Sequence, residues 1–396
     1  GTLEHMIELD YILNQFSKVK VNKMKPVIRN ILRSAVYQLK YMDSVPDSAV
    51  CNEAVKLAVK KGFGTLRGFV NGVLRNVARG LDQVEYPTEG IERLSVVYSM
   101  PEWILKLWKK TYDLDVIESM LQAFQEETPV TIRCNLAKTT PENLKESLQK
   151  EGVTVTPHPY LSYAFWIQDY DHLSELESFQ KGEFYVQDIS SMLVGEIADP
   201  KKGDRVIDVC AAPGGKALHV AEKLRGTGSV EARDLSLYKV GLITENIERS
   251  GLTNIHAVQK DATVCDADVK DAADLVIADL PCSGLGVLAK KTDLKYKATE
   301  QSTKELAGLQ REILKNAASY VRPGGTLIYS TCTINPAENI ENVHWFLKEF
   351  PEFVLDPIAD RLCSTLQNSV EEAGCLQLLP GIHKSDGFFI ARFGKK

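Results

Sequence analysis

Two cysteines stand in similar local sequences and could each supply a nucleophile. Cys332 lies in the stretch STCTINPAEN and Cys282 lies in ADLPCSGLG, each after an apolar run and a short polar break. The thiolate is the nucleophilic form of cysteine, and a helix N-terminus lowers the pKa of a nearby thiol. Asn335, Pro336 and Glu338 predict such a helix start, as an N-cap, a first-turn proline and a third-position glutamate. We therefore predict a reactive thiol at Cys332 and comparable surroundings for Cys282.

The other cysteines and the histidines indicate neither a disulfide framework nor a metal site. No two cysteines are separated by two residues, and the seven histidines form no H-x-x-x-H pair. A chain of this size without an export signal is expected to keep its thiols reduced. We therefore expect a cytoplasmic protein without a bound metal. Cys51, Cys134, Cys363 and Cys375 are interpreted as small apolar core residues.

A loop of small residues, CAAPGGK, separates an apolar strand pattern from a helix pattern. Glycines in such a loop allow a tight turn and a close approach of the backbone to a ligand. Asp234 ends the next predicted strand, nineteen residues after Gly215, where a carboxylate can bind ribose hydroxyls. Asp261 ends another strand and is a candidate for the adenine side of a cofactor. NAD, FAD and S-adenosylmethionine all fit, although the missing G-x-G-x-x-G motif disfavours the first two; a helix N-cap is the alternative for any single aspartate.

A thiolate beside a methyl donor suggests one particular reaction. Ring carbon C5 of a pyrimidine is a poor nucleophile until a thiolate adds at C6. The adduct then attacks the methyl group, a base removes the C5 proton, and the cysteine is eliminated. The second thiol could assist this last step. A base inside a nucleic-acid stack has to leave the stack to reach such a pocket.

The charge of the chain is unevenly distributed. The 396 residues carry a net charge of −6, yet the region between Lys18 and Arg79 contains thirteen Lys and Arg against three acidic residues. A basic region on an acidic chain indicates a polyanionic partner, with a solvated helical surface as the alternative. No apolar run approaches the roughly 18 residues that would span a bilayer, so no membrane partner is expected.

Hydrophobic periodicity divides the chain into three regions. Residues up to about 80 show helical spacing, with Pro26 at a first helical position and Gly62 near a C-cap. A strand, helix, strand, strand pattern follows, which suits a small ferredoxin-like module. From about Gly203 strands and helices alternate, which predicts a doubly wound α/β sheet that binds ligands at the carboxyl ends of its strands.

Three motifs resemble those of the RNA 5-methylcytosine methyltransferases. They are CAAPGGK (residues 210–216), DLPCSG (residues 279–284) and STCTINPAEN (residues 330–339). The resemblance implies that Cys332 of the Thr-Cys motif is the nucleophile and that Cys282 of the Pro-Cys motif helps to release the product. DNA cytosine methyltransferases use their Pro-Cys cysteine as the nucleophile, so spacing alone leaves the two roles open.

The same resemblance implies S-adenosyl-L-methionine as the cofactor. The residues implied to contact it are Cys210, Ala211, Ala212, Pro213, Gly214, Gly215, Lys216, Asp234, Asp261 and Asp279. Asp279 is also implied to hold the target cytosine, because a carboxylate opposite N3 and N4 stabilises the charged ring of the adduct. Lys216 is a candidate for holding the same base.

The N-terminal third resembles the NusB-like domain at the front of the RsmB (Sun/Fmu) family of bacterial 16S rRNA methyltransferases. YQLKYMDSVPDSAVCNEAVKLAVKKG and GFVNGVLRN carry this likeness. It implies a NusB-like helical RNA-binding domain at residues 1–85, a small α+β module at 86–185 and a Rossmann-like methyltransferase domain at 186–396. We expect naked 16S rRNA or an early small-subunit particle as substrate, a monomer, and further helices of the first domain before residue 1.

Three other functions compete with this one. An RNA-binding antitermination-like factor with a degenerate enzyme domain would have broken motifs, whereas all three motifs are intact. A DNA cytosine methyltransferase would lack the Thr-Cys cysteine and carry a target-recognition segment. A Rossmann oxidoreductase would bind NAD in place of S-adenosylmethionine. We therefore predict the RNA enzyme.

Overall fold

The structure is a computed structural model that describes residues 1–370 and 372–396. Contacts between residues divide the chain into two compact units. Unit 1 comprises Gly1–Gln125 and Leu288–Lys297, and unit 2 comprises Glu126–Val287 and Ala298–Lys396. The chain thus leaves unit 2 a few residues after Cys282, contributes one short segment to unit 1, and returns.

The secondary structure alternates as the periodicity predicted. The helices are α1 Met6–Phe16, α2 Pro26–Tyr41, α3 Asp47–Lys60, α4 Arg67–Gly80, α5 Gly90–Val97, α6 Glu102–Trp108, α7 Leu114–Gln125, α8 Pro141–Lys150, α9 Glu177–Gln180, α10 Ile189–Ala198, α11 Gly215–Lys223, α12 Leu237–Ser250, α13 Leu294–Lys297, α14 Glu300–Tyr320, α15 Ile340–Glu349 and α16 Ser364–Gln367. The strands are β1 Val130–Cys134, β2 Thr154–Pro157, β3 Ala164–Gln168, β4 Phe184–Val186, β5 Arg205–Asp208, β6 Ser229–Asp234, β7 Ile255–Gln259, β8 Ala273–Asp279, β9 Val321–Thr331, β10 Phe353–Leu355, β11 Cys375–Leu378 and β12 Phe388–Lys395.

Unit 1 is helical, as predicted. Pro26 opens α2 because its fixed φ suits a first helical position and its missing N–H costs nothing there. The chain leaves α3 through Gly62, whose φ of +85° favours glycine. The apolar faces of α1 to α4 form one core, which includes Leu13, Leu32 and Leu74. The basic side chains of these helices are therefore left on the outside.

Unit 2 contains two sheets. The smaller sheet is antiparallel in the order β2-β3-β1-β4, with α8 capped by the Thr140 side chain, which accepts from the Asn143 N–H. The larger has the order β10-β12-β9-β8-β5-β6-β7, with β11 also paired to β12. Strands β5 to β9 pair in parallel, while β12 is antiparallel. The strand order reverses between β5 and β8, which is where open α/β sheets bind ligands.

The N-cap predicted at Asn335 is confirmed, because its side chain accepts from the Ala337 N–H and Pro336 follows as the first helical residue, but the α-helix predicted to continue from it is wrong. Pro336–Glu338 forms a single 3-10 turn, and the α-helix begins only at Ile340. Asn339 separates the 3-10 turn from the α-helix, with φ −117° and ψ −103°. Its amide donates to the Thr333 carbonyl, and its oxygen accepts from the Thr331 hydroxyl. These tertiary bonds hold the residue outside the helical conformation that its local sequence favours.

A buried ion pair joins the smaller sheet of unit 2 to helix α11. Arg133 on β1 has no exposed surface and donates to Gln187 (2.7 Å) and to the Glu222 carboxylate on α11 (3.0 Å). Its guanidinium also stacks on the Tyr185 ring, 4.3 Å from the centroid. Burial raises the pKa of Glu222 even with Arg133 beside it. The guanidinium therefore compensates a carboxylate that would be costly if it stood alone.

We expect Arg133→Met to destabilise unit 2 by about 3–5 kcal/mol, because it leaves the Glu222 carboxylate buried and unpaired. The measurement is the thermal midpoint of the purified protein. The double variant Arg133→Met/Glu222→Leu should recover most of the loss, since an apolar pair of similar volume needs no compensation. A double variant less stable than Arg133→Met would contradict this account.

Candidate active site

The two cysteines of the sequence motifs lie side by side. Parallel strands β8 and β9 are neighbours in the sheet, and Cys282 and Cys332 follow their carboxyl ends. Their Sγ atoms are 3.3 Å apart, neither is in a disulfide, and both residues are partly exposed. Gly286 makes this approach possible, because a Cβ there would lie 2.0 Å from the Gly387 carbonyl oxygen and 2.9 Å from that of Cys332.

An ion pair lies beside the thiols. Lys216, in the first turn of α11, contacts the carboxylate of Asp279 at 2.7 Å, and the Ser330 hydroxyl donates to the other Asp279 oxygen at 2.7 Å. Burial lowers the pKa of Lys216, but the Asp279 carboxylate outweighs this effect, so the net pKa is raised. A negative charge on Cys332 contributes in the same direction. Lys216 is thus a cation close enough to Cys332 to stabilise its thiolate.

The expectation of a lowered pKa at Cys282 is wrong. The hydrogen bond with Cys332 raises the pKa of the Cys282 thiol well above its ordinary value, and burial adds to the effect. A helix N-terminus would lower the pKa of this thiol, but Cys282 is followed by an irregular loop. The helix dipole argument fails for Cys332 as well, because the helix expected at Asn335 begins at Ile340.

A buried carboxylate, absent from the predicted site, connects the loops that carry the cysteines. Glu338 has no exposed surface, and one of its oxygens accepts from the Ser283 hydroxyl (2.5 Å) and the Asn335 amide (2.8 Å). The other oxygen accepts from the Ser283 N–H (2.9 Å) and the Gln310 amide (3.0 Å). Gln310 also donates to the Pro281 carbonyl. Sequence reasoning treated Glu338 only as a helix-capping residue. Its hydrogen bonds with Ser283 could not be predicted because the two residues are 55 positions apart in the sequence.

The CAAPGGK loop lies against Asp234. The Asp234 carboxylate, at the end of β6, accepts from the Ala212 N–H at 3.2 Å and from the Leu235 N–H at 2.8 Å. Gly214 has φ +107°, a conformation that requires glycine, and α11 begins at the next residue. The loop therefore presents small residues and backbone groups beside a strand-end carboxylate. This arrangement fits a nucleoside-containing cofactor.

Asp208 is a second residue that sequence reasoning missed. It ends β5, is completely buried, and accepts from the Cys210 N–H at 3.3 Å, while its Oδ2 has no partner among the described residues. Burial and the nearby Asp279 carboxylate raise the pKa of Asp208 to about 7. The signal in the sequence was an aspartate that ends an apolar strand. An orphaned carboxylate oxygen here also fits a cofactor that carries a cationic group.

Asp261 stands apart from the other predicted residues. It follows β7 on the surface, and its carboxylate accepts from the backbone N–H and the hydroxyl of Thr263. These bonds lower the pKa of Asp261. The local contact resembles the capping role that was the alternative for strand-end aspartates, so its contact with a cofactor stays a prediction.

Two further surveys concern the part of the chain that the structure describes. Among residues 1–370 and 372–396, no three His, Cys, Asp or Glu side chains are grouped so as to hold a metal ion. No helix in these ranges is long and apolar enough to cross a bilayer.

The larger sheet has a small-residue loop after β5 and an acidic residue at the end of β6, and a pair of cysteines follows β8 and β9. Together these features indicate a Rossmann-like methyltransferase. The family model described as "16S rRNA methyltransferase RsmB/F" matches residues 196–394. A NusB family model matches residues 1–79, and a model of the RsmF/B-like ferredoxin-like domain matches residues 100–170. The chain belongs to the RsmB/F family of 16S rRNA methyltransferases.

Individual relatives agree with this family. The chain is 38% identical to the probable ribosomal RNA small subunit methyltransferase B of Bacillus subtilis, over 100% of this chain and 89% of that protein. The crystal structure of PH0851 is 27% identical, with a TM-score of 0.85, and the match covers 99% of this chain and 88% of that one. NSun6 from Pyrococcus horikoshii, solved with SFG, is 25% identical, with a TM-score of 0.65 over 74% of this chain and 98% of that one.

These matches confirm the predicted family and the predicted fold class, with its NusB-like, ferredoxin-like and Rossmann-like parts. They also confirm that the chain is an rRNA methyltransferase. The boundaries at residues 85 and 185 stay predictions.

We expect Glu338→Gln to destabilise unit 2 by about 1–3 kcal/mol, or about 2–10 °C in its thermal midpoint. The amide keeps the shape of the side chain, but its NH₂ group would face two of the four donors that now point at a carboxylate oxygen. Glu341→Gln, at an exposed position three residues later, is the matched control and should be neutral. Equal midpoints for the two variants would show that the buried carboxylate does not stabilise the loops.

The raised pKa of Asp208 predicts that the protein becomes less stable to unfolding as the pH rises. An unfolded aspartate titrates near about 3.9, so between about pH 4 and 7 the folded protein binds more protons than the unfolded chain. Stability therefore falls as pH rises through this window, by on the order of 3 kcal/mol from this group. Asp208→Asn removes the titration, so the difference in thermal midpoint between this variant and the wild type should grow by several degrees from pH 5 to pH 8.

Asp261→Asn is the control for this measurement. The pKa of Asp261 is lowered, so its carboxylate stabilises the fold above its unfolded pKa, which is the opposite sign. The difference between Asp261→Asn and the wild type should not rise with pH. An equal rise for the two variants would mean that the pH dependence does not come from Asp208.

Proposed function

We propose that this protein methylates C5 of a cytosine in 16S rRNA through a covalent bond between Cys332 and C6 of the base. The single observation that carries the proposal is the pair of thiols, 3.3 Å apart, next to the Lys216–Asp279 ion pair. A cofactor-binding fold alone would suit many methyl acceptors. Two adjacent thiols at a nucleic-acid enzyme's site are specific to pyrimidine C5, because this carbon needs a nucleophile to activate it.

The positions of the charges support Cys332, rather than Cys282, as the nucleophile. The Lys216 ammonium interacts electrostatically with Cys332, and a cation there favours the thiolate at that position. In the proposed first step the thiolate of Cys332 uses its electron pair to form the S–C6 bond. The electrons of the C5–C6 double bond then move onto C5.

Asp279 and Lys216 hold the base during this step. The Asp279 oxygens lie where the end of β8 meets the thiols, and a carboxyl group there can hydrogen-bond N3 and the N4 amino group. Lys216 neutralises the carboxylate and keeps it oriented. After methylation a solvent base takes the proton from C5, the electrons of that C–H bond restore the C5–C6 double bond, and the S–C6 bond breaks with its electron pair returning to Cys332. Cys282 assists this release.

S-adenosyl-L-methionine supplies the electrophilic methyl group. The residues that would hold it are the loop from Cys210 to Lys216 with Asp234, and Asp279 and Asp261 are further candidates. Support comes from the left-handed Gly214, from the Asp234 carboxylate beside the loop and from the orphaned oxygen of Asp208. NSun6 from Pyrococcus horikoshii was solved with SFG, an analogue of this cofactor.

The substrate assignment rests on the family and on charge. RsmB/F proteins are described as 16S rRNA methyltransferases, and residues 18–79 carry thirteen Lys and Arg against three acidic residues. We propose naked 16S rRNA or an early small-subunit particle as the substrate, a cytoplasmic monomer as the working form, and no role for a metal.

The test uses Cys332→Ala and Cys282→Ala proteins with labelled S-adenosylmethionine and 16S rRNA. Methyl transfer and a denaturant-resistant protein–RNA adduct are both scored. Cys332→Ala should give neither product, because no S–C6 bond can form. Cys282→Ala should accumulate adduct, because release is slowed.

Cys265→Ala is the matched control, since Cys265 is an exposed cysteine outside the three motifs. It should not produce the adduct. A Cys332→Ala protein that still methylates, together with an inactive Cys282→Ala protein, would reverse the roles of the two cysteines and refute the assignment.

A further inference from the structure

A small cleft lies between α3 and α4 in the helical unit, far along the sequence from the catalytic motifs. Its lining includes Asp47, Ser48 and Asn52 from α3 and Arg75 and Arg79 from α4, and its volume is about 220 Å³. Small-molecule and cofactor sites usually measure about 300–1,000 Å³. The α3–α4 cleft is thus suited to one unit of a longer chain rather than to a complete cofactor.

The side chains of the two arginines in the cleft make no polar contact with the residues that the structure describes. Arg33 and Arg93, in the same unit, each contact a carboxylate, at 2.5 Å and 2.8 Å. Arg75 and Arg79 are exposed and make no hydrogen bond or ion pair with any residue that the structure describes. Folding therefore does not account for these two cations, although a carboxylate, Asp47, lines the same cleft.

The two arginines belong to a regular stripe on α4. Arg67, Asn71, Arg75 and Arg79 follow one another at intervals of four residues, which places them along one face of the helix. Gly72 lies beside this stripe, and a Cβ built there meets no atom within 4 Å. The helix therefore presents evenly spaced donors on an open surface, a form that suits the repeating phosphates of an extended polyanion.

We propose that the α3–α4 cleft binds one nucleotide of a single-stranded segment of the rRNA substrate, with Arg75 and Arg79 on its phosphates. Guanidinium groups bind phosphate oxygens in a bidentate manner. Ser48, Asn52 and Asp47 provide donors and acceptors for a base edge or a ribose 2′-hydroxyl. The carboxylate favours a nucleotide over a free phosphate or an acidic peptide, because it repels a plain anion but accepts from an amino or hydroxyl group.

This inference rests on the proposed function in that rRNA is the substrate, and it assigns a docking site remote in sequence from the chemistry. The cleft would hold the RNA without touching the reacting base. Loss of these contacts should therefore weaken RNA binding and raise KM, while kcat at saturating RNA stays the same.

The test compares Arg75→Gln/Arg79→Gln with Lys109→Gln/Lys110→Gln in the full-length protein. The control removes the same charge from exposed positions at the end of α6. Binding of a 16S rRNA transcript is measured without cofactor over a range of salt concentrations. The arginine variant should bind at least about tenfold more weakly. Its slope of log K against log salt should be shallower by about 1.4, the value for two phosphate contacts on single-stranded RNA.

Arg75→Lys/Arg79→Lys retains both charges and should restore the salt slope, which separates loss of a phosphate contact from damage to the fold. The proposal would be overturned if Arg75→Gln/Arg79→Gln kept the wild-type affinity and salt slope. It would also be overturned if Lys109→Gln/Lys110→Gln lost as much affinity as the arginine variant. A slope that stays shallow in Arg75→Lys/Arg79→Lys would also overturn it. If the wild type binds rRNA but transfers no methyl group to cytosine C5, the proposed function fails, and the binding comparison still decides this inference.

Discussion

The site depends on the solvation of one buried carboxylate. Glu338 lies out of water, and an ionised group can stay there only if hydrogen-bond donors replace the lost water. Its four donors come from the loop after β8, from α14 and from its own turn. The hydrogen bonds to Glu338 therefore hold the loops of Cys282 and Cys332 together, and this positions the two Sγ atoms 3.3 Å apart.

The same loops divide the chemistry between two otherwise similar cysteines. Both follow parallel strands, both are partly exposed, and the hydrogen bond between them could be donated by either. What differs is the charge around them. The hydrogen bond with Cys332 and burial raise the pKa of the Cys282 thiol, and the Lys216 ammonium interacts electrostatically with Cys332. An asymmetric environment is what a reaction needs when one thiol has to attack the base and the other has to assist release.

The buried acids of unit 2 show two solutions to the same physical problem. Glu222 is compensated by Arg133, which joins the smaller sheet to α11. Asp208 has no cation in direct contact, and its raised pKa marks the cost of its burial. A buried carboxyl group that destabilises the fold often has a role in binding, and the position of Asp208 beside the CAAPGGK loop fits such a role. In unit 1, Arg75 and Arg79 are exposed, so water solvates their charges.

The sequence by itself determined the family, the layered fold and the motifs that follow β5, β8 and β9, because periodicity and strand-loop-helix motifs are local patterns. The helical N-terminal unit and the cap at Thr140 were predictable for the same reason. Only the tertiary structure decided the break at Asn339, the raised pKa of Cys282 and the roles of Asp208 and Glu338. These features depend on burial and on partners distant in the sequence, and neither is encoded in the residues next to them.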